Sequence, residues 1–579
     1  MAVRRLTRLA LLLSAGASIT GRALEPEAVE ELLEAPGCES EQDDAAAANV
    51  MLLQTQLQRQ RQRRGASLVQ AGAHAGSHGT RREEQAPSAT RPHGPSQAFV
   101  FLFEWTWDDI AKECEDWLGP KGFTAVLVSP PNEHSVGESW YKRYQPVSYN
   151  LTSRSGTKEQ FVSMVQRCKA VGVGVYADAV FNHCAPMSGT GVGGSVYGSR
   201  TYPLFGPKDF HYQGNNTSTN CGVNNYNDLH NVHYCDLQGM PDLCTSCPHV
   251  QETVAAYINH MAELGVAGFR VDAAKHMDPG ELGSLLKHVN SSLFWFLEVT
   301  AVPGEAVQSP MYFSDGGKVT EFGFASTLEA KFKNEGLLRD DFKKFGEDWG
   351  LVPNDKAIVF LDNHDTQRNG QAKITFKEPD LYILLNIFML AYPYGYPKVM
   401  SSYYYTSNDQ GPPKKPVHGA NGEVHCGPDE PWVCEHRMAP IANMVAWRRS
   451  AGASPLQNFA TDGNTLAFCR GTAACVALNR KNATAQVELH VSLPDGTYCD
   501  VLQSADPTSC PRVKVQDGIV RLTLSGVSGA AMHADALASE DEKDETTTSP
   551  PPREDEDEDS SDSENDKSFE EPKDDFEDS

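Results

Sequence analysis

The sequence predicts an α/β chain organised as a closed parallel (β/α)8 barrel, the TIM-barrel architecture, with an inserted domain, a C-terminal antiparallel β domain and disordered extensions at both ends. Three observations carry that expectation. Short apolar runs alternate with helix-length segments across residues 97–455, the sign of parallel β/α units. Four of those runs end in acids, Asn or His, as barrel strands do where their C-terminal ends build a site. One connection of about 70 residues, 181–248, is far longer than an ordinary strand–helix link and is usually functional or a small domain.

In chain order, residues 1–23 place Arg4, Arg5 and Arg8 before a short apolar run and small residues, which reads as a secretory signal. A non-cleaved anchor is the alternative. The run is too short to span a bilayer, and no later stretch has the roughly 18 apolar residues a spanning helix needs. The signal directs the chain to secretion or an endomembrane lumen, with no stable membrane insertion. Residues 24–96 are rich in Ala, Gln, Arg, Gly and Ser with little apolar periodicity, so they read as a disordered pro-segment or linker. Gln60-Arg-Gln-Arg-Arg64 is either a basic processing site or a solvated charge run. No aromatic platform accompanies its arginines, which argues against nucleic-acid binding.

Barrel strands are expected at 97–104 and 123–129, near 173, 268, 293 and 357, at 319–322 between the last two of these, and at 396–402. Residues 456–533, with runs such as Thr465-Leu-Ala-Phe-Cys469 between turn residues, read as a separate antiparallel β-sandwich domain. The remainder, 534–579, is an acidic disordered tail. From 540 onward its acids exceed its bases by about 16, most of the chain's net charge of −27. The fourteen cysteines agree with an oxidising compartment. Cys469 and Cys475 flank a plausible hairpin and are expected to pair. Cys244-Thr-Ser-Cys247 is ambiguous and reads as a short extra disulfide before a redox or zinc motif, since zinc needs two further soft ligands and none is evident nearby. Asn150, Asn216, Asn290 and Asn482 head sequons compatible with glycosylation.

The strand ends carry the chemistry. In Gly268-Phe-Arg-Val-Asp-Ala-Ala-Lys-His276 the side chains of Arg270 and Asp272 share a face, about 6–7 Å apart at Cα. The cation favours ionised Asp272, as a carboxylate nucleophile requires; a structural ion pair is the other reading. Three further runs end alike: Leu293-Phe-Trp-Phe-Leu-Glu298, Ile358-Val-Phe-Leu-Asp-Asn-His-Asp365, and Val173-Gly-Val-Tyr-Ala-Asp-Ala-Val-Phe-Asn-His183. Glu298 leaves an apolar run, where desolvation and neighbouring acids favour its protonated form.

In their order these four stretches resemble the signature regions of the α-amylase family of glycoside hydrolases. Phe103-Glu-Trp105, Ser129-Pro-Pro-Asn132, Tyr144-Gln-Pro-Val147, Ala267-Gly-Phe-Arg270 and Val399-Met-Ser-Ser402 look specifically like the animal-type, chloride-dependent members. The resemblance spans roughly residues 97–530. It implies retaining endo-hydrolysis of α-1,4-glucosidic bonds in starch, glycogen and maltooligosaccharides, with Asp272 as nucleophile, Glu298 as acid/base and Asp365 as the carboxylate holding the distorted sugar. It implies substrate contacts from Trp140, Tyr141, Tyr144, Gln145, His183, Arg270, Lys275, His276 and His364. The insertion becomes the family's B domain, and the chain is expected to act as a monomer.

The resemblance also implies calcium, held by the Asn182 and Asp242 side chains and the His233 and His276 carbonyls. It implies chloride, held by Arg270, Asn363 and Lys398. Disulfides are implied for Cys114–Cys168, Cys221–Cys235, Cys426–Cys434 and Cys499–Cys510. Four departures stand out. Tyr141 replaces a second Trp, His233 and Lys398 stand where the family has Arg, and the glycine-rich loop expected after Asp365 is missing. Rival readings are an α-glucosidase or transglycosylase of the same fold, or a non-catalytic polysaccharide-binding protein, which would not be expected to keep all three acids.

Overall fold

The computed structural model describes residues 97–539, except 199, 217, 291 and 315–316. The expected signal peptide, pro-segment and the acidic tail from 540 lie outside the described residues. The barrel strands form where apolar runs are buried on both faces, as a parallel sheet covered by helices requires. They begin with β1 (Phe99–Leu102), β2 (Ala125–Val128) and β3 (Gly174–Ala179). A hairpin of β4 (Ser188–Thr190) and β5 (Val196–Gly198) lies in the long insertion. The series resumes with β6 (Gly268–Val271), β7 (Phe294–Leu297), β8 (Lys318–Glu321), β9 (Ala357–Val359) and β10 (Tyr396–Ser401). The closed order is β1-β10-β9-β8-β7-β6-β3-β2, with each neighbouring pair parallel.

Register sets up the site. Asp178 of β3 lies opposite Arg270 of β6, which lies opposite Phe296 of β7. Gly268 permits the β6–β7 approach, because a Cβ there would stand 2.5 Å from the Phe294 carbonyl. Below this layer, toward the strands' N-terminal ends, aromatic rings fill the barrel. Phe99 meets Tyr176 and Phe296 at centroid distances of 5.4 and 5.7 Å, and Tyr176 stacks on Phe294 at 4.9 Å. An apolar plug at one end leaves the charged layer at the other.

β9 is shorter than the apolar run that announces it. Beyond Val359 the backbone leaves the ladder, and its side chains take over local bonding. Tyr382 Oη and Gln367 Nε2 donate to Asp362, while the Asp365 and Thr366 backbone N–H groups donate to Asn363 Oδ1. Polar side chains that bond nearby backbone compete with a ladder in this way.

The barrel's last helix, Ala439–Ala451, leads into β11 (Leu456–Thr461), β12 (Thr465–Arg470), β13 (Ala474–Asn479) and β14 (Ala485–His490). Then come β15 (Gly496–Cys499), β16 (Arg512–Val515), β17 (Ile519–Leu524) and β18 (Ser528–His533). They form a four-stranded sheet β11-β12-β13-β18 and the antiparallel pairs β14-β17 and β15-β16 around a second apolar core. Trp447 ties helix to sheet by donating to the carbonyls of Cys475 and Met532 at 3.1 and 3.0 Å. Buried Arg448 closes the lower rim by donating to the carbonyls of Gln97, Leu390, Tyr392 and Gly395. Residues 534–539, expected within the tail, run back along this unit: the Ala536 carbonyl accepts from the Cys499 N–H at 2.9 Å, and the Ala538 N–H donates to Thr497.

All four disulfides implied by resemblance are formed, with Cys244–Cys247 and Cys469–Cys475 in addition. Cys184 is buried and unpaired. Among the described residues no helix is long and apolar enough to cross a membrane.

Candidate active site

One guanidinium organises the mouth of the barrel. Arg270 projects from β6, almost fully buried. Its Nη1 donates to both oxygens of Asp178, at 2.6 and 2.7 Å, and to Asp272 Oδ1 at 2.9 Å. Its Nη2 stands 2.5 Å from Glu298 Oε1. Strand alternation puts Arg270 and Asp272 on one face, and the β3–β6 register brings in Asp178. Tyr144 Oη completes the arrangement by donating to Asp178 Oδ2 at 3.0 Å.

The next residue, Ala273, takes a left-handed conformation with φ of 50°, uncommon for a residue with a Cβ. That turn points its N–H at Glu298 Oε2, 2.9 Å away. The backbone laces the same strand ends: the Glu298 N–H donates to the Val271 carbonyl, and the Lys275 N–H to the Glu298 carbonyl. Asp272 and Glu298 are thus fixed through both backbone and guanidinium.

One cation shared among three carboxylates does not neutralise them. The expectation that Arg270 keeps Asp272 ionised therefore needs correction. Burial, with the charges of Glu298, Asp178 and Asp365, outweighs the guanidinium and pushes the Asp272 carboxyl well above the usual range. Asp178 shifts the same way, chiefly through burial. Asp365, with a side chain 41% exposed, is pushed up to about 7 by desolvation and by the Glu298 charge.

Asp365 lies beyond β9, with its Oδ2 3.3 Å from His364 Nε2. The His364 ring is held between Tyr144 (4.8 Å, 8° interplanar) and Phe103 (4.9 Å, 22°), with Trp140 edge-on at 5.3 Å. Trp140 is pinned by donation from its Nε1 to the Asn408 carbonyl. Tyr141 meets the edge of Trp140 at 6.0 Å. Gln145 turns aside, and its Oε1 accepts from Ser135 Oγ and Lys142 Nζ.

The histidines differ in what they leave available. His183 has both nitrogens engaged, Nε2 with the Tyr144 carbonyl and Nδ1 with the Asn182 amide. His276 uses only Nδ1, on the Val232 carbonyl. Burial pushes both imidazoles down to about 4, so they are neutral. Lys275 Nζ donates to the Thr300 carbonyl at 2.8 Å, pairs with Glu305 and lies 4.6 Å from the Tyr226 ring centroid.

The residues expected at ion sites lie close by. Asn182 and Asp242 meet at a β-bridge: His183 pairs with Asp242, and the Asn182 carbonyl accepts from the Leu243 N–H at 2.9 Å. Asp242 Oδ2 is 2.7 Å from His211 Nδ1. The His276–Val232 bond joins the segment after β6 to the helix Leu229–Tyr234, which carries His233. Lys398 is buried, its Nζ 4.3 Å from the Phe360 ring centroid, and burial pushes its ammonium down to about 8.

Sequence reasoning passed over two residues as site members. Asp178 was visible as a strand acid, but its partnership with Arg270 depends on a register that sequence does not print. Arg368, one helical turn beyond Asp365, lies within 4.4–5.5 Å of the rings of Tyr405, Tyr403, Phe103 and Trp140, and donates to the His364 carbonyl. Only the spacing Asp365-Thr-Gln-Arg368 hinted at it.

Comparison with known proteins sets the sequence and the fold beside α-amylases. The profile described as "Alpha amylase, catalytic domain" matches residues 116–396, and "Alpha amylase, C-terminal all-beta domain" matches 458–535. An α-amylase of Streptomyces violaceus is 39% identical over 454 residues, covering 78% of this chain and 76% of that protein. A pancreatic α-amylase of Rattus norvegicus is 40% identical over 488 residues, covering 76% and 94%. The crystal structure of α-amylase I from Eisenia fetida superposes with a TM-score of 0.71 at 34% identity, covering 76% of this chain and 97% of the other. A mutant of that enzyme, in a structure titled as a maltohexaose complex, gives 0.70 at the same identity and coverage.

The raised proton affinity of Asp365 has a consequence for stability. Relative to the unfolded chain, it favours the folded state fully below 3.8, and that contribution is lost as pH rises toward about 7. Asp365→Asn is expected to melt at a higher temperature than the unmodified chain above about pH 7, with no such gain below 3.8. Thermal melts across pH check this, and a lower melting temperature for the variant at high pH contradicts it.

Proposed function

The chain belongs to the α-amylase family of glycoside hydrolases, and on that premise we propose that it cleaves α-1,4-glucosidic bonds within starch, glycogen and maltooligosaccharides with retention of configuration. The observation that carries the residue assignment is the Arg270 guanidinium holding Asp272 and Glu298 side by side. A shared partner supports the short carboxyl separation of retaining chemistry, about 5–5.5 Å, over the about 6.5–9.5 Å of inverting enzymes.

With the cluster's proton carried on Glu298, Asp272 is the ionised member in the reactive state and attacks the anomeric carbon while Glu298 gives that proton to the departing glycosidic oxygen. The bond to that oxygen breaks as the Asp272–carbon bond forms. Glu298, now a carboxylate, takes a proton from water, and the water oxygen displaces Asp272. Asp365 and His364 hold the distorted ring, and Trp140 and Tyr144 offer flat faces to the sugar. In the free protein Glu298 is drawn back onto Arg270 and the Ala273 N–H, so substrate must compete for that carboxyl. Glu298→Gln is expected to lower kcat by at least about 10³-fold on blocked maltooligosaccharides, since general acid catalysis alone contributes typically 10²–10⁴. Products of mixed length from amylose fit internal cleavage; release of glucose alone favours an α-glucosidase.

Calcium fits the residues near the insertion. Asp242 Oδ1 is not used by His211, and Asn182 with the backbone carbonyls of His233 and His276 adds hard oxygen donors of the kind Ca²⁺ takes. Among the described residues no cluster of three His, Cys, Asp or Glu suits a metal, so this set rests on carbonyls and one carboxylate. When bound, the ion cross-links the His276 turn to the insertion. Exhaustive dialysis against chelator is expected to lower both melting temperature and activity; unchanged values reject the site.

Chloride is the second ion the resemblance implies, with Arg270, Asn363 and Lys398 as its residues. Among the described residues buried Lys398 lies against the Phe360 ring, and the Asn363 amide nitrogen is not used by the bonds to its Oδ1, while Arg270 Nη2 already stands 2.5 Å from Glu298 Oε1, so an anion there competes with that carboxylate. Lys supplies a point charge without the bidentate fork of Arg, so its affinity differs from that of a two-arginine site. Chloride is expected to shift the pH–rate profile, and a profile indifferent to its concentration removes the claim.

The six disulfides support passage through an oxidising compartment, consistent with secretion or an endomembrane lumen. Residues 97–455 are taken as the catalytic unit with 181–248 inserted, and 456–533 as the β domain.

A further inference from the structure

One disulfide differs from the other five in spacing and in place. Cys244 and Cys247 are 3 positions apart, against 6 to 54 for the rest. The pair closes the turn that leads from Asp242 into the 16-residue helix Pro248–Glu263, with Cys247 as the residue that caps its start. Two cysteines spaced in this way, one of them at a helix N-terminus, form an arrangement that stabilises a thiolate. The unpaired N–H groups of the first turn and the helix dipole favour negative charge there. No side chain caps this helix while the disulfide is closed. Opening the bond leaves the Cys247 sulfur to take that place.

Access and departure are both provided. Cys247 is half-buried between exposed Ser246 and Pro248, whereas Cys244 is buried. An incoming thiolate therefore reaches the Cys247 sulfur, and Cys244 is the group that leaves. Cys244 Sγ lies 3.5 Å from Ser246 Oγ, whose hydroxyl can donate to the charge that develops on the departing sulfur. Cys221 and Cys426 are half-buried as well, but neither they nor their partners begin a helix longer than three residues. The turn also holds without the bond. The Cys247 N–H donates to the Cys244 carbonyl and Gln251 Nε2 to the Thr245 carbonyl, each at 2.9 Å, and Thr245 Oγ1 donates to Glu281 Oε2 at 2.6 Å. These contacts keep the two sulfurs close enough to pair again.

We propose that Cys244–Cys247 is a thiol–disulfide exchange site, opened by a dithiol reductant and closed again while the chain stays folded. The reductant's thiolate attacks Cys247 Sγ, the bond between the two cysteines breaks, and Cys244 departs as a thiolate. The reductant's second thiolate then attacks its own sulfur in the mixed disulfide and releases Cys247. Two electrons pass to the pair, the reductant leaves as a disulfide, and its two protons go to the cysteines or to water.

The readout is chemical and independent of glucan cleavage. The native full-length protein is treated with dithiothreitol and quenched with iodoacetamide at intervals, and labelled cysteines are mapped by peptide mass spectrometry. Buried Cys184, whose N–H donates to the Pro241 carbonyl, reports any opening of this region. Cys244 and Cys247 are expected to label together at least tenfold faster than any other disulfide, with Cys184 unlabelled. Oxidised glutathione added before the quench is expected to restore the closed pair. Labelling no faster than at Cys221–Cys235 or Cys426–Cys434 overturns the proposal. Labelling in step with Cys184, or a pair that stays open under oxidised glutathione, overturns it as well.

Discussion

A buried arginine facing three carboxylates is the constraint around which this structure is built. Arg270 must be held where water cannot screen it, and Asp178, Asp272 and Glu298 must each reach it from a different strand or strand end. An unpaired buried charge costs several kcal/mol, so the cluster has to form as a unit. One cation among three acids also leaves surplus negative charge, which the site manages by retaining protons. In the proposed mechanism the attacking carboxylate and the proton-donating carboxyl both come from this cluster.

The rest of the barrel keeps this layer in place. The aromatic plug of Phe99, Tyr176, Phe294 and Phe296 excludes water from below, and the Arg448 contacts hold the lower rim. Above, the long insertion is cross-linked by Cys221–Cys235 and Cys244–Cys247, and it approaches the site through the His183–Asp242 bridge. Tyr144 joins two layers, donating to Asp178 while its ring stacks on buried His364.

Much of this was legible in the chain. Apolar runs ending in Asp272, Glu298 and Asp365 announced parallel strands with chemistry at their ends, because strand burial and catalytic acidity are both properties of residue type. Less legible was anything set by register or by backbone strain. The Asp178–Arg270 contact needs the β3–β6 alignment, and the left-handed turn at Ala273 has no glycine to signal it. Proton affinity was misjudged at Asp272 because a neighbouring arginine in sequence said nothing of how many acids would share it. Gln145 and His183 carried the family's pattern, yet Gln145 Oε1 is spent on Ser135 and Lys142, and both His183 nitrogens on Tyr144 and Asn182. Pattern gives position; partners decide availability.

The central claim is that the carboxylate held by Arg270 at Asp272 becomes covalently attached to the sugar. Treating the full-length protein with a slow-turnover fluorinated glucosyl fluoride, then mapping the modified peptide by mass spectrometry, tests this directly. The account predicts one glucosyl-sized addition on the peptide containing Asp272, absent from Asp272→Asn. A label on Glu298 or Asp365, or none despite turnover of the reagent, would contradict it.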